Sequence, residues 1–446
     1  MKILSIETSC DETAVSIIEA SGDLASPKFS ILGNALYSQI STHAEYGGVF
    51  PALAKREHTL NLVPMLKLAT SYAFDASLSS PTQSHGNSLT RNAKQNGNIE
   101  LTDELRKQIL EILNRENDLG PALLEFLDTH EVYEVDAIAV TQGPGLEPAL
   151  WVGISFAKAL AVALNKPLIP INHMEGHIVS VLTESSELNN ANSPQANNAN
   201  ISRAKNPNTP TVQFPALALL ISGGHTELVL SKDWHQYEII GQTVDDAVGE
   251  AFDKVARIIG LPYPGGPKIS KLAKESREEE LKKKYPELDW QLPRPMIKSP
   301  DFNFSFSGLK TAVLYAVRDR LQQRETEKRT PESVELSDIE QKILAEEFEN
   351  AVTDVLTHKT RRAIEETNSQ TLIIGGGVIA NTYIREAFKK VAEETGVKLF
   401  TPSISLSTDN SVMIGVAGYL RWIAGDAGIL QPSEVMSLTA KGNLSL

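Results

Sequence analysis

Residues 171–179, INHMEGHIV, hold two histidines four positions apart, His173 and His177, with Glu175 between them. On a helical turn, side chains at i and i+4 share a face, so such a pair can hold a metal ion. A zinc peptidase uses H-E-x-x-H, where the glutamate directly follows the first histidine and acts as general base. Here Glu175 stands two positions after His173, out of register for that role. A capped helix, or two satisfied surface histidines, is the plain alternative. The residues alone leave both readings open.

Glycines signal a second kind of chemistry. ISGGHTE joins two apolar runs through Gly223 and Gly224, whose backbone N–H groups can point at an oxyanion with no side chain in the way. IETSCDET makes the corresponding turn in the first half of the chain. IIGGGVIAN, 373–381, reads as strand, glycines and helix start, a geometry that lets a flat ring or ribose approach the backbone. Any one glycine turn makes an ordinary hairpin. Three at matching places in a repeated pattern point to a nucleotide cleft.

The elements that must position these residues repeat. The first half reads as strands at 2–8, 14–20 and 31–40, a helix near 52–74, a strand at 135–141, a helix at 147–164 and a strand at 167–172. The second half reads as two strands in ALALLISGGHTELVLS, a third in YEIIGQT and a helix at 247–259. A long amphipathic helix follows at 339–366, with Ile343, Phe348, Val352 and Leu356 on one stripe. The strand TLIIGGGV, a helix from Asn381, the strand KLFTPS and a helix at 410–423 complete it. Two βββαβα units predict a duplicated α/β fold with two lobes and a cleft. The first lobe is expected at 1–172, joined by the C-terminal helix at about 409–424, and the second at 173–408.

Two stretches depart from this pattern. Residues 79–98 and the asparagine-rich 184–211 lack apolar periodicity and are expected to be polar insertions. The charged run 271–287 reads as a solvated helix face.

Composition bounds the rest. A chain of 446 residues exceeds a single core. The single cysteine, Cys10, excludes an intrachain disulfide and fits a reducing compartment. With no apolar run near the ~20 residues of a membrane span, a cytoplasmic location without membrane contact is expected. A net charge of -14 argues against a protein that coats nucleic acid non-specifically.

The segments IETSCDET, HAEYGGVFPALAKREH, TQGPGL, HMEGH, LISGGHTEL, DDAVGEAFDKVARIIGLPYPGGP, FSFSGLKTAV, GGGVIAN and STDNSVMIG occur in order across nearly the whole chain, outside the two insertions. This set resembles the bacterial TsaD family, the tRNA threonylcarbamoyladenosine synthases formerly labelled glycoproteases. The resemblance implies the duplicated actin-like, ribonuclease-H-like ATPase fold. It also implies transfer of a threonylcarbamoyl group from threonylcarbamoyl-AMP to the exocyclic amine of the adenosine 3′ of the anticodon. For the site it implies one metal ion, Fe(II) or zinc, on His173, His177 and Asp409. It implies a phosphate cradle at Leu220, Ile221, Ser222, Gly223 and Gly224, with Asp253 on the ribose and Gly266 and Asn381 bordering the nucleoside. Asp11 and Glu12 become the candidate catalytic carboxylates.

Its implied partners are tRNA, a TsaB-like paralogue and a TsaE-like ATPase. The 52–74 helix, with Leu53, Leu60, Val63 and Leu66 at helical spacing and Pro64 as a kink, is expected to form part of the partner surface. Departures from the family pattern are Ile379, Thr382 and Ser407, where many relatives carry serine, arginine and cysteine; none removes a ligand. Two other classes stay in view, a metallopeptidase and a non-catalytic ATP-binding module.

Overall fold

The computed structural model describes residues 1–78, 101–183, 211–327 and 335–446. The insertions anticipated at 79–98 and 184–211 lie outside the described residues, apart from Thr211. The chain forms two compact units. The first comprises Met1–His43, Val49–Thr211 and Asp409–Leu446, and the second Ala44–Gly48 and Val212–Thr408.

The first unit begins with β1 (Lys2–Glu7), β2 (Glu12–Ser21), β3 (Lys28–Ser38), α1 (Ile40–Ala44) and α2 (Pro51–Leu78). It continues through α3 (Asp103–Ile112), α4 (Leu119–Thr129), β4 (Ala137–Gly143), α5 (Glu147–Leu164), β5 (Leu168–Asn172) and α6 (His173–Val179). The second unit holds β6 (Ala216–Ile221), β7 (Thr226–Asp233), β8 (Gln236–Gln242), α7 (Val248–Ile258), α8 (Gly265–Glu278), α9 (Leu281–Lys284) and α10 (Ser307–Glu327). It ends with α11 (Asp338–Thr367), β9 (Thr371–Gly375), α12 (Thr382–Thr395) and β10 (Lys398–Phe400), after which α13 (Ser411–Ile423) returns to the first unit.

The duplication is visible in the sheets. The first has strand order β3-β2-β1-β4-β5, and the second β8-β7-β6-β9-β10, the same path. In each, the first three strands are antiparallel and the last two join in parallel to the first. A parallel pair buried on both faces must be apolar on both, which is why β1, β4 and β6 read as near-continuous hydrophobic runs. On one face of the first sheet, Leu4, Ile6, Val15 and Ile17 pack with Leu62 and Leu66 of α2 and Phe156 and Leu160 of α5. Helix α13 covers the other face. In the second unit Leu217, Leu219 and Ile221 pack with Phe252 of α7 and Phe348, Val352 and Leu356 of α11. The Phe252 and Phe348 rings meet edge to face at 5.0 Å.

Three details differ from the sequence reading. The unit boundary does not fall at 172: residues 173–183 belong to the first unit, because α6 packs on α13 and follows β5 directly. On α2 the buried row is Ala54, His58, Leu62, Leu66, Ala69 and Ala73. Leu66 therefore lies in the core, Leu53 and Val63 are half-buried, and Leu60 alone of the four is well exposed, at 49%. Pro64 sits exposed within α2, which continues past it to Leu78. Helix α5 is the one helix among the described residues long and apolar enough to cross a membrane, and 72% of it is buried inside the protein. The charged run behaves as expected, with Lys271–Glu275 and Lys274–Glu278 pairs on the solvated side of α8 and Ile269 and Ala273 on its buried side.

Candidate functional site

The first unit brings His173, His177 and Asp409 together. Asn172 caps α6, its side-chain oxygen accepting from the backbone N–H groups of Met174 (2.9 Å) and Glu175 (3.4 Å). That cap starts the helix one residue before His173, so His173 and His177 lie one turn apart with ring centroids 4.7 Å from each other. Asp409 arrives just ahead of α13. Its Oδ1 lies 3.3 Å from Nε2 of His173 and 3.1 Å from Nε2 of His177.

One ligand atom from each of the three lies within 4.8 Å of the others. Two imidazole nitrogens and one carboxylate oxygen fit a divalent ion that keeps further positions open. Both histidines are buried, and the Asp409 side chain is the most exposed of the three, at 20%. Burial works against charge on Asp409, but His173 and then His177 outweigh it and hold the carboxyl well below its ordinary value. Burial likewise opposes charge on His173, and Asp409 and Glu7 overcome it and raise that ring well above its ordinary value.

Glu7, which carried no assigned role in the sequence reading, orients His173. Its Oε2 lies 3.2 Å from His173 Nδ1 and also accepts from the Thr141 hydroxyl, and its Oε1 accepts from Ser9 N at 2.5 Å. Ser9 Oγ lies 3.3 Å from the same ring nitrogen. A carboxylate on Nδ1 fixes the tautomer and leaves Nε2 for a ligand. The available signal was a glutamate ending an apolar strand, where a charge needs partners. His177 lacks such support among the described residues, where its buried Nδ1 finds no hydrogen-bond partner.

Glu175 does not face the metal site. Its Oε2 accepts from Arg421 Nε and Nη2, each at 2.7 Å, tying α6 to α13. Engaged there, it is not the base a metallopeptidase requires.

Asp11 closes the turn between β1 and β2 and Glu12 opens β2, 7% and 9% exposed. They share a hydrogen bond, and burial raises each above its ordinary value. Glu12 is raised well above it, with the charges of Asp11 and Asp409 adding to burial. Glu12 is thus the member of the pair that keeps a proton more readily.

The second unit contains a cavity of about 410 Å³ lined by residues of the β6–β7 turn, α7, α8 and the start of α12, among them Gly223, Phe252, Asp253, Gly266, Val378 and Asn381. Gly249 lets α7 reach the turn: a Cβ there would lie 2.6 Å from Ser222 O and 2.9 Å from Gly223 Cα. At Gly223 and Gly224, in contrast, a Cβ would meet nothing within 4 Å. Packing alone therefore does not require glycine at either position.

The five residues expected to cradle a phosphate do not behave alike. Leu220 and Ile221 are fully buried and paired in the sheet with Glu227 and Thr226, so they support the turn from below. Ser222 N bonds His225 O at 2.9 Å, and Ser222 O accepts from Gly249 N at 3.2 Å. Gly223 and Gly224 are exposed, and among the described residues their N–H groups make no backbone hydrogen bond. Asp253 lines the cavity while its Oδ1 accepts from Gly265 N at 2.7 Å, capping α8. Asn381 caps α12 through Tyr383 N (2.9 Å) and Ile384 N (3.1 Å), and its Nδ2 donates to buried Glu349 at 2.6 Å. Of the departures, Ile379 and Ser407 are fully buried, and Thr382 lines the cavity.

Comparison with known proteins shows the family of the chain. The family model described as TsaD, tRNA N6-adenosine threonylcarbamoyltransferase, matches residues 30–76, 115–197 and 196–416. The tRNA N6-adenosine threonylcarbamoyltransferase of Persephonella marina is 37% identical over 95% of this chain and 90% of its own length. That of Thermosipho africanus is 36% identical over 94% of each. Among solved structures, a ROK hexokinase from Thermus thermophilus aligns over 95% of this chain and 100% of its own, at 9% identity and a TM-score of 0.39.

Proposed function

The chain belongs to the TsaD family of tRNA N6-adenosine threonylcarbamoyltransferases, and from that premise we propose how its residues share the reaction. The enzyme transfers a threonylcarbamoyl group to N6 of an adenosine in tRNA. In our reading the donor is threonylcarbamoyl-AMP, with its AMP part in the second unit's cavity. The N–H groups of Gly223 and Gly224 take phosphate oxygens beside the positive N-terminus of α7. Asp253 takes the ribose hydroxyls, and Gly266 and Asn381 border the nucleoside.

The acceptor is the adenosine 3′ of the anticodon, single-stranded and so able to splay out without melting a helix. N6 forms a bond to the carbamoyl carbon, the bond from that carbon to the phosphate oxygen breaks, and AMP leaves. N6 gives up a proton, and Asp11, hydrogen-bonded by Glu12, is the carboxylate to receive it. His173, His177 and Asp409 hold one divalent ion, Fe(II) as first choice and zinc as second. When bound, it supplies a Lewis acid for a substrate oxygen. A TsaB-like paralogue and a TsaE-like ATPase complete the working system, and with a net charge of -14 the chain alone holds tRNA weakly.

The observation that carries this reading is the cavity, lined by Gly223, whose N–H makes no backbone bond among the described residues, and by the Asp253 carboxylate. The experiment is mass spectrometry of nucleosides from tRNA incubated with this chain, threonylcarbamoyl-AMP and the two partner proteins. Threonylcarbamoyladenosine that appears with intact Gly223 and Asp253 and vanishes with Asp253→Ala supports it. Undiminished product from Asp253→Ala rejects it.

A further inference from the structure

We infer that a directional chain of hydrogen bonds through His43, Gln39 and His58 positions the turn bearing Asp11 and Glu12, which makes His58 a positioning residue for transfer. The inference rests on the proposed role of those two carboxylates.

The chain begins and ends on groups whose polarity cannot change. Phe50 N–H, at the head of α2, donates to His43 Nδ1 at 3.3 Å. At the far end Cys10 C=O, which can only accept, lies 3.0 Å from His58 Nε2. Between them His43 Nε2 lies 3.0 Å from Gln39 Oε1. Gln39 Nε2 lies 3.3 Å from His58 Nδ1 and 3.4 Å from Thr13 Oγ1. Thr13 Oγ1 and His58 Nδ1 are 2.8 Å apart.

Fixed ends assign every hydrogen. An accepting Nδ1 on His43 puts its proton on Nε2, which fixes the Gln39 amide with oxygen toward His43. The Gln39 NH₂ then faces Thr13 and His58. His58 must donate from Nε2 to Cys10, so its Nδ1 accepts, and the Thr13 hydroxyl donates to it. Both rings are neutral in this arrangement. Burial agrees: desolvation of its charged form holds His58 down at about 4. Gln39, His43, His58 and Thr13 are all fully buried.

The grip falls on the turn itself. Besides Cys10 O on His58, Asp11 O accepts from Gln39 N at 2.9 Å. Consecutive carbonyls of the turn are thus held by a histidine ring and by the backbone of the glutamine that helps fix that ring. The Gln39 N–H bond continues the β2–β3 ladder one residue past the Glu12–Ser38 pair, whereas the ring on Cys10 O lies outside any ladder, since β1 ends at Glu7 and β2 starts at Glu12. Four fully buried polar side chains, Thr13, Gln39, His43 and His58, thus join the head of α2 to this turn, an arrangement for placing Asp11 and Glu12.

The test compares His58→Leu with His58→Gln in the complete transfer system. Leucine fills the site without hydrogen bonds, while glutamine restores a donor for Cys10 O. His58→Leu lowers kcat about 10- to 100-fold, with KM for tRNA and donor and the metal content unchanged, because misplacement costs rate and not binding. His58→Gln recovers most of that kcat. Wild-type kcat in His58→Leu overturns the proposal, as does an equal loss in His58→Gln or a loss that follows only the folded fraction. Should His58→Leu fail to fold, Gln39→Met breaks the chain one link earlier and is read the same way. Asp11→Asn and Glu12→Gln are measured alongside. If both keep full kcat, the role of the carboxylates is wrong. If both lose turnover while His58→Leu keeps it, only the positioning chain is wrong.

Discussion

Glu7 in β1 and His173 at the start of α6 meet 3.2 Å apart, carboxylate Oε2 to ring Nδ1. One strand thereby sets the orientation of a ring that belongs to a helix far along the chain. Removing this support by Glu7→Gln weakens metal binding about 10- to 100-fold without abolishing it. Competition with a chelator of known affinity measures the loss. Unchanged affinity removes Glu7 from the site.

His173→Ala, His177→Ala and Asp409→Ala each lose the bound metal and the transfer activity, at a cost of roughly 1–3 kcal/mol in fold stability. Elemental analysis of purified variants decides it, since full occupancy in all three is incompatible with the assignment.

Stability near His58 depends on pH with a definite sign. In the unfolded chain His58 takes up a proton below about 6.5. In the folded chain burial delays that to about 4. Between these values the unfolded state binds more protons, so stability rises with pH across the window and falls as pH drops from 6.5 to 4. A shift of this size corresponds to about 3 kcal/mol. His58→Gln, which does not titrate, flattens that part of the profile of Tm against pH. An equally steep profile in the variant assigns the slope to other groups.

Gly223→Val separates a glycine kept for ligand from one kept for fold. A Cβ at this position meets no protein atom within 4 Å, so stability changes by no more than about 0.5 kcal/mol. AMP affinity, read by calorimetry, falls because the branched side chain stands where the phosphate approaches. A large stability loss with intact AMP binding gives the reverse answer.

Leu60→Glu, at the one well-exposed position of the four on α2, disrupts co-purification with the TsaB-like partner and leaves Tm unchanged. Retained co-purification moves the partner surface off this helix.

The succession of strands and helices was legible because each element carries its own periodicity. The α11 stripe shows this, as Ile343, Phe348, Val352 and Leu356 are all fully buried. Helix α10 escaped notice because the carboxylate capping it comes from far upstream. Asp245 accepts from Phe306 N (2.8 Å) and Ser307 N (3.2 Å), so no local start signal exists. The histidine pair was legible by spacing, but Asp409 lies 232 residues from His177, and only the family resemblance joined them. Leu220 and Ile221 mark the opposite limit. Their place in a motif suggested direct contact, while sheet pairing and burial make them its foundation.

The return of α13 to the first sheet has a consequence for the order in which the protein is made. Apart from Ala44–Gly48, the second unit is contiguous from Val212 to Thr408, so its core can close while the nascent chain is still leaving the ribosome. The first unit cannot. One face of its sheet, where Gly415 lies on Ser5 and Ile18 and Gly418 on Ala139, waits for a helix translated after the entire second unit. Asp409 is translated just ahead of that helix, so the three-residue metal set comes into being only in the last steps of synthesis. A chain terminated before Asp409 would carry a folded second-unit cavity and an uncovered apolar sheet, a species for chaperones and proteases to recognise.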